Sequence, residues 1–161
     1  MAPISRVLLG VMLFVVLTAA SSIEGSSSGK HNQAAAGCTC HYNGGGITAT
    51  HDFPSTYNPG QTYNINIGLS GGTQAFVGGF SLQVNKGTLS NPGSLVKIQS
   101  GSSATHTNSG SLYWALDWTA PSSGSGTVSM NLAVLQGDGN NQNSGDAWDQ
   151  ESASIAEYIQ P

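Results

Sequence analysis

The sequence predicts an all-β fold, an antiparallel sandwich of two sheets of immunoglobulin-like type with about seven or eight strands. From Ile47 onward, apolar residues alternate with polar ones with a period of two. Each alternating run is bounded by Gly, Pro, Asn or Ser clusters typical of turns, and no sustained helical period is visible beyond the N-terminal segment. Short strands at this regular spacing are typical of a sandwich, and a small barrel is the alternative.

Seven runs carry the alternation. In order they are ITATHDF (47–53), TYNINIGL (62–69), FSLQVN (80–85), SLVKIQ (94–99), SLYWALDW (111–118), TVSMNLAVL (127–135) and SASIAEYI (152–159). We expect one face of each to form the core. The inward residues then include Ile47, Ala49 and His51; Tyr63, Ile65, Ile67 and Leu69; Phe80, Leu82 and Val84; Leu112, Trp114, Leu116 and Trp118; Val128, Met130, Leu132 and Val134; and, partly inward, Ala153, Ile155 and Ile159.

The composition excludes several classes of partner. The chain has 161 residues, a one-domain length, and only 7% of them are charged, compared with about 25% in an average globular protein. Lys and Arg number four in total, and the net charge is -4. Without a basic stripe the chain cannot neutralise a phosphate backbone or an anionic membrane surface, so we expect no nucleic-acid partner and no membrane-surface patch.

The N-terminal residues predict export. Residues 1–22 resemble a signal peptide, with Arg6 in the basic region, an apolar run from Val7 to Ala20 that is short for a membrane span, and small residues after it. Residues 23–37 are polar and small, which predicts a flexible linker before a domain at 38–160. We therefore expect an extracellular or cell-surface protein in an oxidising compartment.

Cys38, Cys40 and His41 place three soft ligand atoms within four consecutive residues. In an exported chain two lone cysteines favour a disulfide, although residues i and i+2 of an extended chain lie near the ~7 Å Cα limit. A c-type haem site is a second interpretation, with His41 as one axial ligand and His106 as the best candidate for the other. A copper or zinc site completed by His51, His106 or the nearby His31 is the third.

The acidic, Asn-rich stretch at 137–151 is a candidate calcium site. Asp138, Asn140, Gln142 and Asp149 have the spacing of positions 1, 3, 5 and 12 in an EF-hand loop. Position 6 is Asn143 rather than the Gly that such a loop needs. A long solvated strand connection, with Trp148 fixing it to the sandwich edge, is the alternative.

Four longer segments resemble the choice-of-anchor V domains, exported prokaryotic domains distantly similar to the reeler (reelin-type) domain. They are FPSTYNPGQTYNINIGLSG, GGFSLQVNKGTLS, ATHTNSGSLYWALDWTAPSSGSGTVSMNLAV and GDGNNQNSGDAWDQ. The resemblance implies a cell-surface β-sandwich, often with a C-terminal anchor. The sequence ends at Pro161 without a hydrophobic tail, so we expect membrane association only through an anchor outside it. Family members often carry Cys-x-x-Cys-His where this chain has Cys38-Thr39-Cys40-His41, one residue shorter.

Catalytic motifs are missing. The sequence contains no G-x-S-x-G elbow and no H-E-x-x-H, and its eight Asp and Glu form no recognisable catalytic pair. We expect a non-enzymatic protein with an interaction or structural role, whose partner is an extracellular protein, a glycan or a second copy of the chain. The alternative is an electron-transfer or metal-carrier module that uses the Cys-x-Cys-His segment.

Overall fold

The computed structural model describes residues 26–42, 45–72 and 77–159. In this part of the chain ten β-strands form, and no helix. Accordingly, none of the described residues belongs to a helix that is long and apolar enough to cross a membrane. The predicted signal peptide, residues 1–22, lies outside the described residues.

The strands run through the whole described domain. Their bounds are β1 Ile47–His51, β2 Thr56–Tyr57, β3 Thr62–Gly71, β4 Val77–Val84, β5 Thr88–Ser90, β6 Val96–Gln99, β7 Ser103–His106, β8 Tyr113–Thr119, β9 Val128–Gly137 and β10 Ala147–Glu157. One sheet has four strands in the order β1-β3-β8-β5. The other has six strands in the order β2-β10-β9-β4-β7-β6. All neighbouring strands are antiparallel except β2 and β10, which are parallel.

The two sheets confirm the predicted sandwich. The additional strands β2, β5 and β7 are short, with two, three and four residues, and they carry no usable alternation. In β7 all four residues are buried, because one face meets the core and the other lies beneath the N-terminal residues. A strand buried on both faces shows no polar–apolar period, which is why the sequence did not reveal it.

The core forms where the alternation placed it. Trp118 is fully buried, and its ring lies 5.6 Å from that of Phe53, 5.9 Å from Tyr57 and 5.7 Å from Tyr63. The prediction for Ile159 is wrong: β10 ends at Glu157, and Ile159 is 82% exposed. Once the strand has ended, the period of two no longer determines the direction of the side chain.

The N-terminal segment (residues 26–42) covers part of the outer face of the six-stranded sheet, at β4 and β7. The backbone N–H of Gln33 donates to Ser81 Oγ at 3.2 Å, and that of Asn32 donates to Ser103 Oγ at 3.2 Å. Ala34 is fully buried in this contact. Residues 26–37 of the predicted linker are therefore packed against the sandwich, and the serines that they cover are satisfied by backbone donors.

Candidate functional site

The end of the N-terminal segment is held against β10. Gly37 has a φ of +75°, and a Cβ there would lie 2.7 Å from Trp148 Cζ3, so the tryptophan ring packs on the bare backbone. Gln150 Nε2 donates to the carbonyl of Ala35 at 2.9 Å. The Trp148 indole N–H is buried with no hydrogen-bond partner among the described residues. These contacts fix the position of the Cys-x-Cys-His sequence that follows.

Both cysteines are half-buried free thiols, so the structure does not show the predicted disulfide. The backbone N–H of His41 donates to the carbonyl of Cys38 at 2.9 Å, which closes a turn over the three residues. Cys38, Cys40 and His41 border a cavity of about 80 Å³, and His106 lies on its wall. Burial, with a smaller contribution from nearby Cys40, raises the pKa of the Cys38 thiol to about 12. The Cys38 thiol is therefore protonated at neutral pH.

His41 is paired with a buried carboxylate. Its Nδ1 forms a short hydrogen bond with Oδ2 of Asp146, which is only 3% exposed. The other carboxylate oxygen of Asp146 accepts the backbone N–H of Asp138 at 3.1 Å. This arrangement fixes the orientation of the His41 ring through Nδ1 and leaves Nε2 as its other polar atom. Sequence analysis missed Asp146, because no local spacing connects it with a histidine 105 residues earlier in the chain.

His106 lies at the end of β7 and is 8% exposed. Its Nδ1 accepts the backbone N–H of Phe80 at 3.0 Å, and a second backbone hydrogen bond joins the ring to Ser26. A Cβ on Gly79 would lie 2.6 Å from His106 Cε1, so the glycine makes room for the imidazole. The His106 ring thus accepts a hydrogen bond from the backbone of β4, and it also borders the cavity.

Burial lowers the pKa of His106 below its ordinary value of 6.5. The unfolded chain therefore binds more protons than the native state below about pH 6.5, and we expect the free energy of unfolding to fall as the solution is acidified through this range. His106→Asn keeps an acceptor for Phe80 and removes this proton linkage. Denaturant unfolding at about pH 7.5 and about pH 5 should show a smaller loss of stability in the variant than in the wild type.

His31, whose pKa is also lowered by burial, provides the matched control for the His106 experiment. Its ring is half-buried on the outer face of the sheet and contacts Ser103 Oγ at 3.2 Å. His31→Asn should change the pH dependence less than His106→Asn, because its ring is less deeply buried. An equal pH dependence in wild-type and His106→Asn proteins would contradict the assignment to His106.

His51 is positioned elsewhere. It lies at the end of β1, where its Nδ1 accepts the backbone N–H of Phe53 at 3.2 Å. Its Nε2 lies 3.3 Å from Glu151 Oε1 on β10, outside hydrogen-bond geometry. His51 does not border the cavity that contains the cysteines. The structure therefore brings together Cys38, Cys40, His41 and His106, and leaves His51 apart.

The predicted calcium ligands are divided between two environments. In the loop after β9, the Asp138 carboxylate accepts the backbone N–H and the Nδ2 of Asn140, at 3.0 and 2.7 Å. Asp149 lies in β10, and its Oδ2 accepts the backbone N–H of Ala49 in β1 at 2.8 Å. Within residues 26–42, 45–72 and 77–159, no three His, Cys, Asp or Glu side chains form a ready group for a metal ion. Calcium binding stays a prediction.

A larger cavity of about 740 Å³ opens beside the small one and shares His41 and His106 with it. Asp138 and Asp146 also border it, and much of its remaining wall is Gly, Ser and Asn. The wall therefore combines polar and apolar surface with two carboxylates.

A second concave surface lies on the outer face of the four-stranded sheet. Tyr113 is 67% exposed, and its ring lies across the paired strand β3 at Gly68, where a Cβ would be 2.5 Å from Tyr113 Cδ1. Beside it, the Asp52 carboxylate accepts the backbone N–H and Nδ2 of Asn66, both at 2.7 Å. Together with Thr50, these residues border a groove of about 380 Å³.

Comparisons with known proteins identify the class of fold. No family model and no curated protein sequence matches the chain. Among solved structures, the human F-spondin reeler domain matches with a TM-score of 0.53 at 15% identity, covering 81% of this chain and 96% of that domain. The Reelin-N domain of F-spondin matches with a TM-score of 0.51 at 15% identity, covering 82% and 94%.

These likenesses show a reeler-like β-sandwich. A second fragment of the human F-spondin reeler domain, at 16% identity, has a TM-score of 0.52 and covers 73% of this chain and 91% of that one. At such identities only the fold is shared. The finer resemblance to choice-of-anchor V domains stays a prediction.

Proposed function

We propose that the protein is an exported, non-catalytic β-sandwich that acts outside the cell or at its surface by binding an extracellular protein or a glycan. The observation that carries this proposal is the exposed Tyr113 groove on the outer face of the four-stranded sheet. The low content of charged residues and the predicted signal peptide agree with it. The reeler-like fold also suits a binding role, since it presents two broad sheet faces.

The two outer faces differ in availability. Part of the outer face of the six-stranded sheet is covered by the N-terminal segment, which buries Ser103 and Thr105. On the other sheet, outward residues such as Thr50, Asn64 and Asn66 are exposed. An aromatic ring with a polar hydroxyl, beside an amide–carboxylate pair, offers both stacking and hydrogen bonding to a neutral, polar partner. The Tyr113 side is therefore the better interaction surface.

Tyr113→Ala tests this surface. Removal of an aromatic anchor from the centre of an interface costs about 2 kcal/mol or more, so binding should weaken at least about tenfold. Tyr158→Ala, which truncates a 49% exposed tyrosine beyond β10, serves as the control and should bind like the wild type. Binding is measured on an array of extracellular glycans and on purified surface proteins of the source cell. Equal binding by both variants would contradict the assignment of this face.

The second candidate function is a cofactor module, a c-type haem or copper/zinc site for electron transfer or metal transport. It is supported by the position of Cys38, Cys40, His41 and His106 around one cavity. The volume of about 80 Å³ is small compared with the roughly 300–1,000 Å³ of organic-ligand pockets. A cavity of this volume suits a single ion better than haem. Among the described residues, however, no three His, Cys, Asp or Glu side chains form a group ready to hold a metal ion.

Metal and haem analysis of wild-type and Cys38→Ser proteins, each produced with export, tests the second function. Haem, copper or zinc retained by the wild type and lost from the variant would support a cofactor at this position. Equal metal content in the two proteins would contradict it. The glycan and protein binding at the Tyr113 groove is measured separately, so the two proposals can fail independently.

A further inference from the structure

We propose that the Tyr113 groove binds a neutral glycan, with one pyranose ring stacked on Tyr113 and two neighbouring hydroxyls of that ring hydrogen-bonded to the pair of Asp52 and Asn66. The inference rests on the proposed binding function of this face and specifies the class of its ligand. Its geometric basis is that the exposed aromatic ring and the amide–carboxylate pair border the same groove of about 380 Å³. That volume lies within the roughly 300–1,000 Å³ of small-molecule sites.

Gly68 makes the room in which the Tyr113 ring lies. The strand registers place Thr50 of β1, Gly68 of β3 and Tyr113 of β8 side by side across the sheet. A Cβ on Gly68 would lie 2.5 Å from Cδ1 and 2.9 Å from Cε1 of Tyr113, so the ring occupies the space of the missing side chain. The φ of Gly68 is not positive, and a glycine inside a strand weakens the strand. The close approach of the ring therefore accounts for this glycine, and the tyrosine remains exposed above it.

Asp52 and Asn66 supply both kinds of hydrogen-bonding atom beside the ring. Asp52 Oδ1 accepts the backbone N–H of Asn66, and Oδ2 accepts one N–H of Asn66 Nδ2, both at 2.7 Å. These bonds fix the two side chains, and each carboxylate oxygen can accept a further hydrogen bond while the amide has a second N–H. Two adjacent hydroxyls of a sugar ring can then donate to Asp52 and accept from Asn66. The C–H face of the same sugar ring is apolar and suits the face of an aromatic ring.

The charge of the sheet selects a neutral ligand. Strands β1, β3, β5 and β8 contain no Lys or Arg. Asp52 borders the groove, and Asp117 lies farther along β8. An acidic sugar would bring its carboxylate close to that of Asp52 without a cation from these strands to pair with it. Since such a juxtaposition of like charges costs free energy, the groove disfavours acidic glycans.

The face fits a glycan better than a protein. Stable protein interfaces bury about 800 Å² on each partner around a cluster of large anchor residues. Among the exposed large hydrophobic side chains in the described part of the chain, Tyr113 alone belongs to the four-stranded sheet. Its neighbours in the groove include Thr50, Asn66 and Gly68, which offer hydroxyl, amide and bare backbone. One aromatic ring in such surroundings matches one sugar ring rather than a broad apolar surface.

The test is affinity electrophoresis of the full chain through gels that contain a neutral polysaccharide (mannan, galactan or β-glucan) or the acidic polygalacturonate. We expect at least one neutral polysaccharide, and not polygalacturonate, to retard the wild type. Asp52→Asn should weaken binding about tenfold, because a donor replaces one acceptor of a charge-assisted hydrogen bond. Asp117→Asn is the matched control and should bind like the wild type. Asp117 also accepts two amide N–H groups, from Asn64 at 3.0 Å and Asn91 at 2.9 Å, but it does not border the groove.

Gly68→Ala tests the position of the ring without removing it. The added methyl displaces the exposed ring of Tyr113, so binding should fall about tenfold, as in Tyr113→Ala, while the midpoint of denaturant unfolding stays close to that of the wild type. In the Tyr113→Ala background, Gly68→Ala should have no further effect on binding, because the two substitutions act on the same contact. A Gly68→Ala protein that binds like the wild type would overturn the stacking geometry.

The outcomes separate the glycan inference from the proposed binding function. Tyr113-dependent binding of a purified surface protein, with no retardation by any neutral polysaccharide, would overturn the glycan and leave the binding face standing. Stronger retardation by polygalacturonate than by the neutral polysaccharides would overturn the neutral class of ligand. Retardation that survives Tyr113→Ala, or binding to neither polysaccharide nor surface protein, would overturn both the glycan and the assignment of this face.

Discussion

Replacing Trp118 with alanine is expected to lower the free energy of unfolding by about 3–5 kcal/mol. Trp118 is fully buried in β8 and has three aromatic neighbours, Phe53, Tyr57 and Tyr63, within 6 Å between ring centroids. Truncation leaves a cavity between the two packed sheets, and the surrounding side chains cannot easily move to fill it. It also leaves the carbonyl of Lys86 without the indole N–H that donates to it at 3.2 Å.

Tyr113→Ala is the matched control in the same strand. Tyr113 lies on the opposite face of β8 and is 67% exposed, so its removal should change stability by less than about 0.5 kcal/mol. Both variants are compared with the wild type by denaturant unfolding. If Trp118→Ala were near neutral, or less destabilising than Tyr113→Ala, the faces of β8 would be the reverse of those described.

The second large effect is expected for Gly79→Ala in β4. The added methyl would lie 2.6 Å from His106 Cε1, so the imidazole or the strand must shift. Overpacking costs about 1–3 kcal/mol, and a buried N–H that loses its acceptor costs a similar amount. The Phe80 N–H is at risk of that loss, because His106 Nδ1 is the acceptor that it uses. We expect a total loss of about 2–4 kcal/mol in the free energy of unfolding.

Gly110→Ala provides the comparison for Gly79→Ala. Gly110 precedes β8, and its φ is not positive. A Cβ added to it would lie 3.2 Å from Oδ1 of Asn108, which belongs to a flexible side chain. Thermal and denaturant unfolding of both variants should show the difference. If the Gly79→Ala protein were as stable as the Gly110→Ala protein, the His106 ring would not be packed against β4 as described.

The sandwich could be predicted because its long strands have one face in the core and one in water. In β3 and β8 the alternation corresponds directly to burial, with Ile65, Ile67, Leu116 and Trp118 inside. In β7 this contrast is lost, since Ser103 and Thr105 are buried beneath the N-terminal segment although they are polar. That segment is small and polar, and its composition gave no sign that its backbone would donate to buried serines.

The candidate site was predictable only where its residues are adjacent in sequence. Cys38, Cys40 and His41 form a local motif, and a local motif can be read directly. The pairing of His41 with Asp146 depends on where the fold places the loop between β9 and β10, so a sequence spacing cannot reveal it. The spacing of Asp138, Asn140 and Asp149 suggested one loop, but Asp149 belongs to a strand and binds β1. In both cases the tertiary structure, rather than the spacing in the sequence, determines which side chains meet.

The absorption spectrum and intact mass of the protein, purified from a host that exports it, test the account of the Cys-x-Cys-His sequence most directly. The account predicts two free thiols and no Soret band. A mass two hydrogens below that of the reduced chain would contradict the account in favour of a simple disulfide. A Soret band with a haem-sized addition would contradict it in favour of a haem site.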